Sequence, residues 1–138
     1  MDITTRADIE LLVSTFYEVV LKDETLATYF VGINAINFER HLPRMYDFWE
    51  NVLLHTGSYT GNPIFAHKLI HIRQQLHAEE FGKWIRLFLQ TVDVLFVGPR
   101  ATELKVRARN IAFIMEATVI GNTPDERAYE SLLPEVGQ

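Results

Sequence analysis

Histidine is the residue type in this sequence that points most directly to metal chemistry. The 138 residues include five histidines and no cysteine, and neutral imidazole is the commonest nitrogen ligand for metals in proteins. The absence of cysteine excludes a disulfide framework, a thiolate metal site and an iron–sulfur cluster. His67 and His71 are four residues apart, so both can lie on one face of a helix.

Two metal sites that are built on helices do not fit the residues around these histidines. A zinc protease helix needs a glutamate next to the first histidine of the pair, but Ala66 and Lys68 flank His67. A di-iron carboxylate site needs a glutamate three residues before a histidine, and none of the five histidines has one. His55 and His77 fall at predicted helix ends, where we expect them to be solvated.

A haem site requires one histidine on a helix, a flat apolar slot and, to stabilise a bound ligand, hydrogen-bond donors. The sequence is rich in aromatic side chains that suit such a slot, namely Phe16, Phe30, Phe48, Phe65, Phe81, Trp84 and Phe88. The same residues could form an ordinary core, so composition alone leaves both interpretations open.

The elements that must position these residues are indicated by apolar side chains that recur at steps of three and four. Helices are predicted over residues 9–21, 26–30, 42–53, 64–76, 81–96 and 101–120. No segment shows the alternation of apolar and polar residues that is typical of a strand. The sequence therefore predicts an all-α fold of five or six helices.

Proline and glycine set the expected boundaries between these helices. We expect Pro43 in the first turn of its helix, which would place His41 at the helix start or just outside it. Gly98 with Pro99, and Gly121 with Asn122, mark the ends of the last two strong helices. We predict a single domain over residues 1–122 and a C-terminal tail over residues 123–138 with few apolar anchors and one loose turn.

Charge and hydropathy exclude two classes of partner. The net charge is −5 and no basic block is present, which argues against nucleic-acid binding. No apolar run approaches the ~18 residues of a membrane span, and charged residues occupy the positions where a signal peptide would be apolar. We therefore expect a cytoplasmic protein.

The order of the local motifs resembles the third group of truncated haemoglobins over nearly all of residues 9–115. The motifs are Phe16-Tyr17-Glu18, Phe38-Glu39-Arg40-His41, Phe48-Trp49, the loop at 57–63 with a histidine four residues after its proline, and Phe81-Gly82-Lys83-Trp84. Each is weak alone, but their order and spacing together are specific. The resemblance implies a truncated globin fold, a helical sandwich around one haem b.

Carried over residue by residue, the resemblance implies that His67 is the proximal iron ligand, because Pro63 and His67 match the family's Pro-x-x-x-His pattern. It assigns Tyr17 and Trp84 as distal hydrogen-bond donors and His41 as the distal histidine. The remaining expected haem-pocket residues are Phe30, which packs against the porphyrin, and Met45, Phe48, Phe65 and Phe88. His67 and Trp84 are 17 residues apart, which is long for the family, and His71 and Trp84 are 13 apart, so His71 stays the alternative ligand.

A polar distal pocket implies a function in which ligand is held tightly. Tyr17 and Trp84 would donate to dioxygen and slow its release, which favours ligand holding or redox detoxification of reactive oxygen and nitrogen species over bulk transport. Dioxygen, nitric oxide and carbon monoxide are the expected ligands, a reductase is a possible partner, and we expect a monomer or weak dimer. A dioxygenase- or peroxidase-like activity stays open. The alternative is a cofactor-free helical domain that binds a partner or an apolar ligand in the same cleft.

Overall fold

The computed structural model describes residues 1–30, 38–54, 67–68, 71, 75–121 and 124–133. Every regular element within these ranges is a helix, which confirms the all-α prediction. The helices are α1 (Arg6–Lys22), α2 (Glu24–Ala27), α3 (Phe38–Leu54), α4 (Ala78–Leu95), α5 (Pro99–Ile120) and α6 (Glu126–Glu130). His67, Lys68 and His71 are helical as well. None of the helices in this part of the chain is long and apolar enough to cross a membrane.

Helix α1 begins with a capping box. The Thr5 hydroxyl accepts from the Asp8 backbone N–H at 3.3 Å, and the Asp8 carboxylate accepts from the Thr5 N–H at 3.1 Å, so two N–H groups at the helix start are satisfied. Its apolar stripe is buried against α3 and α4, as the spacing predicts. Tyr17 follows Phe16 on this buried face.

Helix α3 starts earlier than the sequence predicts. It begins at Phe38, so Pro43 lies in the second turn and His41 is inside the helix; the expectation that Pro43 occupies the first turn was wrong. The proline removes one backbone bond to the turn before it. Phe38 offsets this loss because its ring packs against Tyr17 and Phe30, with centroids 5.8 Å and 6.1 Å away.

Helices α4 and α5 pack against each other, and the N-terminus holds the connection between them. Gly98 has a φ of +148° and precedes Pro99, the first residue of α5. The Asp2 carboxylate accepts from the backbone N–H groups of Arg100 at 3.0 Å and Ala101 at 2.9 Å. A side chain thus caps two N–H groups that have no partner within the helix. Gly121, with a φ of +83°, ends α5 as predicted.

The C-terminal segment is anchored through a tyrosine. Tyr129 on α6 is buried, and its hydroxyl donates to the Glu116 carboxylate on α5 at 2.8 Å. Its ring meets Phe113 edge-on at 5.4 Å. The sequence indicates few apolar anchors after residue 122, and the structure adds Leu132 and Leu133, which are partly buried and pack against the same core as Tyr129.

Candidate functional site

A cavity of about 250 Å³ lies among the first five helices. Its walls are mostly apolar and aromatic, with a few polar groups, which is the usual composition of a small-molecule site. The lining residues are Tyr17, Leu26, Tyr29, Phe30, His41, Arg44, Met45, Phe48, Trp49, His67, Leu76, Glu80, Phe81, Trp84, Ala112 and Met115. Helical spacing explains the arrangement, since His41, Met45 and Phe48 share one face of α3.

A tyrosine and a histidine pair inside the cavity. The Tyr17 hydroxyl oxygen lies 2.9 Å from Nε2 of His41. Burial raises the pKa of Tyr17 above its ordinary value, so the hydroxyl keeps its proton. Burial, together with the smaller effects of the charges on His67 and Arg44, lowers the pKa of His41 from 6.5 to about 4. Both members of the pair are therefore neutral near pH 7.

The hydrogen bond in this pair can run in either direction, because a neutral imidazole carries its proton on one nitrogen or the other. With the proton on Nε2, His41 donates to the Tyr17 oxygen, and the Tyr17 O–H is free to donate into the cavity. With the proton on Nδ1, the Tyr17 O–H donates to Nε2 instead. A cavity ligand with acceptor oxygens favours the first arrangement, since each proton then has an acceptor.

Trp84 adds a second donor to the cavity. Its indole ring stacks on Trp49 and Phe88 at 6.4 Å and 5.6 Å and meets Phe16 edge-on at 5.5 Å. These contacts fix the ring, yet no acceptor for its N–H is found in the described part of the chain. An indole N–H that lines an apolar cavity normally finds a partner, so a ligand that carries an acceptor atom would complete the site.

The two histidines that the sequence leaves as alternatives lie in different surroundings. His67 lines the cavity, and its charge contributes to the low pKa of His41. His71 is not among the lining residues, and its Nδ1 accepts from the backbone N–H of Leu76 at 2.9 Å. A neutral His71 in this arrangement has its proton on Nε2 and so has no free lone pair for a metal.

A third cluster of polar side chains is centred on Glu80, which lies one turn before Trp84 on α4. Glu80 is buried and lines the cavity. The Tyr29 hydroxyl lies 2.7 Å from Oε1 of Glu80, and Nδ1 of His77 lies 2.9 Å from the same oxygen. His77 is exposed, as expected, but its ring also contacts this carboxylate. The sequence analysis missed Glu80 and Tyr29 as site residues.

Two comparisons with known proteins found matches to truncated haemoglobins. A group 3 truncated haemoglobin of Campylobacter jejuni is 29% identical over 104 residues, which are 73% of this chain and 80% of that protein. The crystal structure of a group III truncated haemoglobin from Campylobacter jejuni has a TM-score of 0.75, at 24% identity, and covers 86% of this chain and 94% of its own. No family model matches.

The fold is that of a truncated haemoglobin. The resemblance to the third group, which rests on the order of motifs in the sequence, is confirmed by both comparisons. The truncated-haemoglobin fold explains why residues far apart in the sequence meet at one cavity. Tyr17 on α1, His41 on α3 and Trp84 on α4 converge there because α1 packs against both other helices.

The truncated-haemoglobin fold brings most of the predicted pocket residues to the cavity. Those that line it are Tyr17, Phe30, His41, Met45, Phe48, His67 and Trp84. Phe88 does not line it, since it is fully buried behind Trp84 and Trp49. Phe65 and His55 lie outside the described residues.

The lining residues that sequence reasoning did not name for the pocket are Leu26, Tyr29, Trp49, Leu76, Glu80, Ala112 and Met115, whereas Phe81 was among the aromatic candidates for the slot. Most of them belong to apolar stripes, and a stripe does not distinguish a core face from a cavity face. The position of Glu80 predicted exposure and not burial, because an acidic residue in the first turn of a helix is usually solvated. Its spacing of four residues from Trp84 is the one sequence feature that would place it on the same face.

Proposed function

We propose that this protein binds haem b in the cavity and holds dioxygen and other diatomic ligands there. The observation that carries the proposal is the set of groups that converge on one apolar cavity: the Tyr17–His41 pair, the Trp84 N–H and the imidazole of His67. Bound haem would supply an iron that binds diatomic ligands and exchanges one electron. The protein supplies the ligand to the metal, the donors and the apolar walls.

The residues present fit such a group. Phe30, Met45 and Phe48 provide flat or adaptable apolar surface. His67 places an imidazole at the cavity, whereas His71 is not among the lining residues, so His67 is the proposed proximal ligand. Arg44 is exposed at the cavity lining, where a guanidinium suits the carboxylates at the edge of a haem.

The distal donors set the proposed mode of action. Tyr17 and Trp84 each donate to a bound ligand, and a hydrogen bond contributes about 0.5–1.5 kcal/mol, or about 1.5–3 kcal/mol when the acceptor carries charge. His41 orients the Tyr17 hydroxyl and keeps it available. Dioxygen, nitric oxide and carbon monoxide are the proposed ligands, and slow release suits tight holding or redox detoxification of reactive oxygen and nitrogen species. Such turnover would need an external reductase in the cytoplasm.

A cofactor-free helical domain is the other function that the sequence allows. Its support is the apolar cavity alone, and the similarity to truncated haemoglobins does not favour it. As far as the described residues go, an apolar ligand would also leave the Trp84 N–H without an acceptor.

Ultraviolet–visible spectroscopy of protein purified from cells grown with a haem supply tests the proposal. We expect a Soret band that shifts on reduction and on addition of carbon monoxide. His67→Ala should lose this band or change its coordination, whereas the matched variant His71→Ala should keep it. Folded, helical wild-type protein without a Soret band would leave the cofactor-free domain as the function. Loss of the band in His71→Ala alone would move the ligand to His71.

A further inference from the structure

Glu80 is the one carboxylate among the described residues that line the cavity. It is 8% exposed, and the distal hydrogen-bonding groups described above make no use of it. Burying a carboxylate is costly unless it is paired and hydrogen-bonded. The contacts of Glu80 therefore show which protonation state the site is built to hold.

Two side chains hold Glu80 as an anion. Oε1 accepts from the Tyr29 hydroxyl at 2.7 Å and lies 2.9 Å from Nδ1 of His77. Burial works to raise the pKa of Glu80, but the hydrogen bonds from His77 and Tyr29 outweigh it, and the pKa lies below its ordinary value. Glu80 is thus ionised at neutral pH.

Tyr29 makes one of the two side-chain contacts to Glu80. Its hydroxyl lies within reach of two acceptors, the Glu80 carboxylate at 2.7 Å and the Gln75 carbonyl at 2.8 Å. The hydroxyl has one proton, and an ionised carboxylate forms the stronger bond. Tyr29 therefore stabilises the charged form of Glu80.

We propose that Glu80 is a fixed negative charge that lowers the reduction potential of haem bound in this cavity. The inference rests on the proposed function. A ferric centre carries one positive charge more than a ferrous centre, and a carboxylate in the same low-dielectric cavity stabilises the more positive form. Arg44 also lines the cavity, but it is exposed and solvent screens its opposing charge.

Equilibrium spectroelectrochemistry of the haem-loaded protein tests this role without any measurement of activity. Glu80→Gln removes the charge and keeps the shape. We expect it to raise the ferrous-to-ferric ratio at a fixed potential about tenfold, which corresponds to about 59 mV for a one-electron couple. Glu79→Gln is the matched control, because Glu79 is the preceding residue on α4 and is exposed. It should change the ratio less than about twofold.

Tyr29→Phe distinguishes an electrostatic role of Glu80 from a structural one. This variant keeps the charge but removes one donor that neutralises it, so the potential should fall, opposite in sign to the effect of Glu80→Gln. If Glu80→Gln does not fold, the potential of Tyr29→Phe is sufficient to test the inference. Equal shifts in Glu80→Gln and Glu79→Gln, or an unchanged or raised potential in Tyr29→Phe, would overturn the inference. A wild-type protein without a Soret band would overturn the proposed function as well.

Discussion

The Tyr17 hydroxyl is the group whose removal tests the distal pocket most directly. It lies 2.9 Å from Nε2 of His41, and its ring is held edge-on by Phe30 and Phe38 at 5.7 Å and 5.8 Å. Tyr17→Phe keeps these ring contacts and deletes only the O–H. Any change in ligand release can then be assigned to the lost donor and not to a cavity.

The size of the effect follows from the charge on the ligand. A dioxygen ligand on haem held in this cavity would carry partial negative charge, so a hydrogen bond from Tyr17 to it would fall in the range of about 1.5–3 kcal/mol for a charged acceptor. Because 1.4 kcal/mol is a factor of ten, Tyr17→Phe should release dioxygen about 10-fold to about 150-fold faster. Trp84 remains as a donor in this variant.

Stopped-flow replacement of dioxygen by carbon monoxide measures this rate. Carbon monoxide release should be recorded in parallel, since this ligand gains little negative charge and should respond less than about fivefold. Tyr46→Phe is the matched control. Tyr46 lies on α3 with Arg6 over its ring at 6.0 Å, and it does not line the cavity.

Two results would refute this reasoning. A dioxygen release rate within about twofold of wild type would show that Tyr17 does not donate to the ligand. A carbon monoxide rate that rises as much as the dioxygen rate would show that the substitution opens the pocket sterically, because a hydrogen-bond effect should depend on ligand charge.

Two further predictions concern the stability of the haem-free protein. Burial, His67 and Arg44 lower the pKa of His41 from 6.5 to about 4 in the folded protein. Between about pH 4 and pH 6.5 the unfolded chain therefore binds more protons than the folded one. The free energy of unfolding should fall by up to about 3 kcal/mol as the pH drops from about 6.5 to about 4. His41→Gln should flatten that part of a urea-unfolding series. Gly98→Ala should destabilise by about 2–4 kcal/mol, because a Cβ there lies 2.5 Å from Asp2 Cγ and φ is +148°. The control Gly82→Ala meets only the flexible end of Arg86 and should be neutral or slightly stabilising.

The long helices α1, α3, α4 and α5 could be predicted because each one carries an apolar stripe of regular period. The stripes of α1, α4 and α5 stand out in the sequence, and glycine or proline marks the ends of α4 and α5. The start of α3 was not predictable from local signals. Pro43 indicates a helix start, and only the packing of Phe38 against Tyr17 and Phe30, residues from elsewhere in the chain, extends the helix one turn further.

Some residues of the candidate site could likewise be predicted from local sequence, whereas others depend on contacts with distant parts of the chain. Tyr17, His41 and Trp84 could be predicted because they stand in motifs with fixed spacing. Glu80 could not, since its burial depends on Tyr29, which is 51 residues away in the sequence. The sequence alone predicts that a carboxylate at the start of a helix is solvated, because it does not show the distant partner that buries and stabilises it.

The donors and the anion have a joint consequence for what this pocket can do. With haem in the cavity, Tyr17 and Trp84 would stabilise negative charge on a ligand and Glu80 would stabilise positive charge on the iron, so both would favour separation of charge between metal and ligand. Reversible oxygen transport needs the opposite, namely fast release and resistance to oxidation. We therefore propose that a pocket with both features would suit redox chemistry on its ligand. If so, Glu80→Gln in the Tyr17→Phe background should bring the protein closest to a simple oxygen carrier, with a raised potential and fast release together.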